Sequence, residues 1–385
     1  MSNAALRIVK GVKLKIGILT YHKACNCGAL IQAWALHKVL TRMGHNVSFP
    51  SCIKTGVPIF RWQFNRQRRG VFAIIDFVAS CRNAFRTALY NGYLRARLAS
   101  FKRHHITECA CRAEELAERY DVLIVGSDQV WNPKCAVPQN YQLYTGNLPR
   151  GNVPMIGYAV SGGDGNLDEQ TRRQLLSAAE HFYSISFRER SLGTQLGILD
   201  PLVVCDPSLL LETCDYDELV SPKRFVKDEY LFAYCASQNP RILWKIVAIG
   251  KLLGLRVVIA QIYSHWFWNK NLPPNSCVGL TPGEMVSYLR HAKYVVSSSF
   301  HGTAIAIANG VRFIHLDSNP EQQSSRAGQL LEHLGLRSRL CYSDSDMDEL
   351  VNTLKAPYSV DLSKWRRKSL EFLESSLKGL TDKIN

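Results

Sequence analysis

The sequence predicts an α/β protein built as two Rossmann-like, doubly wound domains that face each other across a cleft. Three observations lead there. At 385 residues, with 46% hydrophobic and 21% charged side chains, the chain is longer than a single hydrophobic core usually grows. Short apolar runs of strand character alternate with stretches of helical period and end in polar Gly/Ser/Asp loops, the pattern of a parallel sheet whose ligands sit at the carboxyl ends of its strands. A polar, charged stretch at Leu211–Lys227, interrupted by Pro222, separates two such sets.

The first set opens with the apolar run Leu14–Thr20, a buried parallel strand, followed by the polar turn Tyr21–Gly28 and the helical period of Ala29–Met43. Gly44 stops that helix and Asn46–Phe49 begins the next strand. Further strands are expected at Asp121–Val125, ending in Gly126-Ser127-Asp128-Gln129, and at Val153–Val160, ending in Ser161-Gly162-Gly163. A helix at Thr171–His181, a strand at Ser184–Phe187, a helix at Glu189–Leu196 and a strand at Leu202–Val204 lead to Asp206-Pro207-Ser208, where Asp206-Pro207 is read as shaping a turn, with a catalytic role as the alternative. The second set places strands at Tyr230–Ala236, Arg256–Ala260, Tyr294–Val296 and Arg312–Leu316, and helices at Pro240–Leu253, Pro282–Ala292, Gly302–Asn309 and near Ser325–His333. The expected organisation is an N-terminal domain at 1–215 with a basic helical insertion near 55–110 and a C-terminal domain at 216–355. A helix within 356–385 is expected to pack back on the first domain.

Composition narrows the function classes. No run approaches the roughly 18 to 20 apolar residues of a membrane-spanning helix, and Met1–Lys15 has basic residues without an apolar core or a small-residue cleavage site, so a cytoplasmic location is expected. The 12 cysteines are scattered from Cys25 to Cys341 without paired CxxC knuckles; reduced thiols and no metal site are expected. A net charge of +15 favours anionic partners. Ten Lys/Arg lie between Arg61 and Arg103 against the single acid Asp76, mixed with aromatics. The leading reading is a solvated helical insertion with one apolar face against the body. Its alternative is peripheral docking at the inner face of a membrane. Nucleic acid is not an expected partner, because no nucleic-acid motif accompanies the charge.

The chemistry concentrates at Tyr294–Gly310, where a triple serine, Phe300 and His301-Gly302 fall at the junction of a strand and a helix. A helix N-terminus offers unpaired N–H groups and the positive end of the dipole to an anion, and a histidine there donates to it or shuttles a proton. Serine caps and a packing glycine would produce the same string.

The string SSSFHGTAIAIANGVRFI resembles the signature of polysaccharide pyruvyl transferases. Five further stretches match that family in order: KIGILTYHKACNCGALIQAWALHKVL, YDVLIVGSDQVWNP, IGYAVSGG, SISFRERS and CDPSLLL. Together they cover most of the chain from Lys15 to about Leu336. The resemblance implies a GT-B-like fold and transfer of a pyruvyl group from phosphoenolpyruvate to two hydroxyls of a sugar, forming a ketal and releasing phosphate. It implies phosphoenolpyruvate as donor substrate without a further cofactor, and a saccharide acceptor, with a lipid-linked one compatible with the basic insertion.

Site roles follow from the same resemblance. Arg188 is expected on the donor's carboxylate or phosphate, His301 as phosphate ligand or proton donor, and Arg326 as a second arginine at the start of a late helix. Asp128 or Gln129, beside Ser127, would bind or deprotonate a sugar hydroxyl, or Asp128 would cap a turn. Asn26 and Gly28 match the family's N-terminal loop, whose backbone amides would contact donor or acceptor; Cys27 stands where the family commonly has an aromatic. Ser161, Ser299 and Gly302 are expected to line the substrate site, with Phe300 as its wall. The rival reading is a GT-B glycosyltransferase with a nucleotide-sugar donor.

Overall fold

The computed structural model describes residues 12–54, 85, 88–89, 92–221, 224–235, 239–261, 277–318 and 325–384. Two six-stranded sheets carry the chain. In the first, β1 (Lys15–Leu19), β2 (Asn46–Pro50), β3 (Glu108–Cys109), β4 (Val122–Val125), β5 (Met155–Val160) and β6 (Ser184–Phe187) lie in the order β3-β2-β1-β4-β5-β6, every neighbouring pair parallel. The second repeats that order with β7 (Tyr230–Cys235), β8 (Arg256–Gln261), β9 (Cys277–Val278), β10 (Tyr294–Ser297), β11 (Phe313–Asp317) and β12 (Leu340–Tyr342), as β12-β11-β10-β7-β8-β9. Both are the Rossmann order, which reverses direction between its first and fourth strands. The arrangement is two doubly wound domains, GT-B-like as the motifs implied.

Helices cover both faces. In the first half these are α1 (Cys27–Arg42), α2 (through 92–105), the short α3 (Leu116–Arg119), α4 (Pro138–Tyr144), α5 (Glu169–Ala179), α6 (Arg190–Gln195) and α7 (Pro207–Leu210). The second half has α8 (Pro240–Leu252), α9 (Pro282–His291), α10 (Phe300–Ala308), α11 (Arg326–His333), α12 (Met347–Lys355) and α13 (Ser363–Ile384). One apolar core runs through α1, α7, α9, α10 and α13 and joins the inner faces of the two sheets; two smaller cores fill their outer faces. The seam also carries polar ties: Arg97 of α2 pairs with Glu284 of α9, Arg42 pairs with Asp215, and the Cys27 thiol donates to the Leu280 carbonyl at 2.9 Å. Burial pushes that thiol well above its ordinary range. Cys27 therefore seats α1 against the second domain and presents no stacking surface.

α13 returns to the first domain. Ser369 Oγ accepts from the Cys205 amide at 2.9 Å, Ser184 Oγ donates to Ser376 Oγ at 2.8 Å, and Phe372 meets Tyr158 with ring centroids 6.3 Å apart.

Several expectations shift. Val203 makes only an isolated bridge to Phe187, because that segment leads straight into the Asp206 cap of α7. The basic insertion ends before 108, where β3 joins the sheet edge. Its stretches at 55–84, 86–87 and 90–91 lie outside the described residues. His105, which follows the exposed His104, packs on Phe101 with centroids 4.7 Å apart and is half-buried.

Candidate active site

α10 begins at Phe300, two residues earlier than the sequence pattern placed it, so His301 and Gly302 lie inside its first turn. Ser299 is the N-cap but its side chain makes no capping bond; its amide donates instead to Ser297 Oγ at 3.1 Å. The amides of Phe300, His301 and Gly302 find no acceptor among the described residues. Such a turn presents its N–H groups and the positive end of the helix dipole to whatever occupies the space before it. Gly302 is there for room: a Cβ would lie 2.5 Å from Ser297 Oγ and 2.8 Å from the Tyr234 ring.

His301 leans across the domain seam. Its Nε2 is 3.7 Å from Asp206 Oδ2, while its other edge lies on α1, where a Cβ on Gly28 would sit 2.5 Å from His301 Cβ and 2.8 Å from Nδ1. Asn26, the N-cap of α1, accepts from the amides of Gly28 and Ala29 at 2.8 and 3.3 Å. The Gly28 amide expected to contact a substrate is thus taken by Asn26, and the glycine serves instead to let the imidazole approach.

Asp206 is the hub. Its Oδ1 accepts from the Ser208 amide and hydroxyl at 3.0 and 2.6 Å, its Oδ2 from Ser127 Oγ at 3.0 Å and Arg188 Nη1 at 3.2 Å. Complete burial would by itself raise its pKa. The nearby His301 imidazole, the Arg188 charge and the Ser208 hydrogen bond overcome that and hold the carboxyl well below the usual range. Ser127 reaches Asp206 because the chain leaves β4 through Gly126, with φ of 120°, where a Cβ would meet the Tyr158 carbonyl oxygen at 2.0 Å.

Arg188, expected to grip a donor, is buried and already surrounded. Nη1 meets Asp206 and lies 3.5 Å from Asp128; Nη2 donates to Ser161 Oγ at 3.0 Å; Nε lies 3.6 Å from Glu189. Phe300 closes the remaining face, its ring centroid 4.3 Å from the guanidinium carbon. Phe300 is therefore a wall that holds the arginine as well as one that bounds the site. Glu189, passed over in the sequence as a neighbour of Arg188, is fully buried; that burial pushes its pKa up, against the Arg188 charge, and its Oε1 accepts from the Gly162 amide at 3.1 Å. Three buried polar atoms gathered here, His301 Nε2, Arg188 Nε and Glu189 Oε2, have no hydrogen-bond partner. Such orphans are uncommon in a folded protein and mark a place where a ligand's polar groups would be satisfied.

A second cross-domain pairing borders the first. Arg326, at the start of α11, grips Asp164 through its own amide at 2.7 Å and through Nε and Nη2 at 3.1 and 3.0 Å. With its amide turned, Gln129 accepts from Arg326 Nη1 at 2.9 Å, and Gln129 also faces Asn132. Asp128, with φ of 75°, bonds the Gln129 amide at 2.9 Å, a local turn as well as a contact of Arg188. The structure thus brings His301, Arg188, Asp128, Ser127, Ser161 and Phe300 into one constellation, sets Arg326 and Gln129 beside it, and leaves Asn26 and Gly28 supporting α1. Glu189 and Asp164 are the members that sequence reasoning passed over, and Asp206, read first as a turn residue, is both the cap of α7 and a contact of Arg188 and His301. Among the described residues no group of three or more His, Cys, Asp or Glu is placed to hold a metal ion.

The motifs that build this constellation fall within residues 26–320, which a model of the polysaccharide pyruvyl transferase family matches. The chain belongs to that family. It is accordingly a transferase, and its reaction takes a saccharide acceptor. No curated protein matches the chain. Among solved structures it is similar to the UDP-GlcNAc 2-epimerase of Methanocaldococcus jannaschii in complex with UDP-GlcNAc and UDP, at 12% identity, covering 95% of this chain and 99% of that one with a TM-score of 0.49. It is also similar to the UDP-GlcNAc 2-epimerase of Neisseria meningitidis, at 9% identity, 96% and 100% coverage and a TM-score of 0.47. The calicheamicin glycosyltransferase CalG4 follows at 13% identity, 96% coverage of both chains and a TM-score of 0.40. No described helix of this pyruvyl transferase is long and apolar enough to cross a membrane.

Proposed function

We propose that this pyruvyl transferase moves the pyruvyl group of phosphoenolpyruvate onto two hydroxyls of a saccharide, releasing phosphate and leaving a ketal. The observation that carries the reading is the Asp206–His301 pair, joined across the two domains at the open N-terminal turn of α10. The reaction needs a proton on the enol methylene, a stabilised cationic carbon to accept the first hydroxyl, and departure of phosphate before the second hydroxyl closes the ring. His301 supplies the proton or holds the leaving phosphate, with Asp206 fixing its ring. The first-turn amides of α10 meet the anion. Arg188, committed to Asp206 and Ser161, holds Asp206 in position beside His301, and Asp128 is the base that takes a proton from a sugar hydroxyl.

The test is phosphate release from phosphoenolpyruvate over a panel of saccharides, followed by mass analysis for the ketal, beside a His301→Ala variant. Phosphate and ketal should appear together and fall together in the variant by about 10²- to 10⁴-fold. An inert phosphoenolpyruvate with consumption of a nucleotide sugar would replace this reading with glycosyl transfer.

A further inference from the structure

Phe85, Leu89 and Tyr93 are helical and 66, 52 and 45% exposed. Their spacing of i, i+4 and i+8 is the one that a helical sequence pattern brings to a single face. The same segment buries a different stripe: Leu94, Leu98 and Phe101 are 4, 1 and 8% exposed. One set of apolar residues therefore seats α2 on the body while a second set looks outward. Single exposed apolar side chains are ordinary on a protein surface, but three large ones at this spacing signal something that covers them.

Charge selects the occupant. No acidic residue occurs between Asp76 and Glu108, while Arg82, Arg86, Arg95, Arg97, Lys102 and Arg103 do. Arg97 is bound by Glu284, and Lys102 donates to the Lys23 carbonyl. Arg95 and Arg103 are exposed with no partner among the described residues. A second copy of this chain would bring like-charged faces together under a net charge of +15 each. An anionic bilayer answers both features at once: headgroups meet the arginines while the aromatic and aliphatic side chains enter the headgroup–acyl boundary.

We infer that the exposed surface carried by Phe85, Leu89, Tyr93, Arg95 and Arg103 is a docking surface for anionic lipid. The inference does not depend on the donor or acceptor proposed above. Its test is flotation of the whole protein with vesicles of phosphatidylcholine alone and of phosphatidylcholine with about one-third phosphatidylglycerol, a fraction chosen to give a strong negative surface potential. Binding is expected only to the anionic vesicles and should weaken as salt rises. Arg95→Gln with Arg103→Gln should cut partition roughly 25-fold, at about fivefold for each basic residue near the surface. Phe85→Ser with Leu89→Ser should cut it by about tenfold or more while leaving the thermal melt in place, since both side chains are exposed. Absence of binding to either vesicle overturns the inference, as does binding unchanged in both double variants. Concentration-dependent dimerisation abolished by Phe85→Ser with Leu89→Ser, in a protein that ignores vesicles, would assign the face to self-association.

Discussion

Gly28→Ala separates the stability of α1 from the position of the residue it supports. A methyl group at Gly28 would stand 2.5 Å from His301 Cβ and 2.7 Å from Cγ. An ordinary carbon–carbon contact is about 3.5–4.0 Å, so the imidazole and the first turn of α1 must part by about 1 Å. Gly28 has no positive φ, and by helix propensity alone alanine would stabilise it by roughly 0.5–1 kcal/mol. Overpacking at a buried contact costs about 1–3 kcal/mol. The balance is a net loss of roughly 0.5–2 kcal/mol, a fall in melting temperature of a few degrees for domains of this size. The effect on turnover should be larger than so mild a change implies. His301 Nε2 stands 3.7 Å from Asp206, and a displacement of about 1 Å at a reacting group costs on the order of 10²-fold in rate. Differential scanning fluorimetry and steady-state phosphate release on the same preparation give both numbers, and the loss should fall in kcat. A variant that melts higher than the parent and turns over normally would refute the placement of His301 against α1.

Asp206→Asn exchanges one accepting oxygen for an amide donor. Whichever way the amide turns, it faces donors: Ser127 and Arg188 on one side, Ser208 on the other. Uncoupling a buried ion pair costs about 3–5 kcal/mol, and the lower end is expected because Arg188 keeps Asp128 and Glu189 nearby; a chemical melt reads this, and normal stability with normal turnover would remove Asp206 as the hub. Stability against pH should show two opposed limbs. Asp206 is depressed below its unfolded value of about 3.9, so its contribution is present above that pH and lost as the solution is acidified below it. Glu189 is raised above its unfolded value of about 4.3, so its contribution is present below that pH and is lost as pH rises through its folded value. Glu189→Gln should therefore gain on the parent as pH rises above about 4.3 while keeping the acid limb; a melting-temperature difference that does not change with pH would contradict the buried placement of Glu189.

The parts of the fold that carry a long period were legible in the sequence. β6 runs over Ser184–Phe187 as read, and α1, α8 and α9 begin or end within two residues of their predicted bounds because Asn26, Asn239 and Thr281 cap them. The edge strands β3, β9 and β12 span two or three residues, too few to show alternation. The start of α10 was misplaced for a physical reason: three serines offer three caps, and the one in use makes no side-chain bond. The site was legible where a motif put charge beside a strand end, as with Arg188 and His301. It was not where a residue already had a sufficient local role. Asp206 caps α7 through the Ser208 amide, which accounts for Asp-Pro-Ser by itself; only the tertiary fold brings Arg188 and His301 to its other oxygen. Gly28 looked like a loop glycine because the ring it admits is 273 positions away, from 28 to 301.

The charges of the site constrain how an anionic donor would be received. Arg188, Arg326 and His301 stand among Asp128, Asp164, Glu189 and Asp206, so with every carboxyl ionised the acids exceed the arginines by two. Asp206 is held ionised by its contacts, and Asp164 is depressed by Arg326 despite the burial that opposes it. Glu189 is the member that burial drives the other way. Burial works against a full negative charge on Glu189, which narrows the excess of acid, and the open amides of α10 add the positive end of their dipole toward an anion. Arg188 cannot make that change alone, because Asp206 and Ser161 already hold it and Phe300 covers its face. What an incoming phosphate or carboxylate meets is therefore set by the carboxyls around the arginines as much as by the arginines, and by the open first turn of α10.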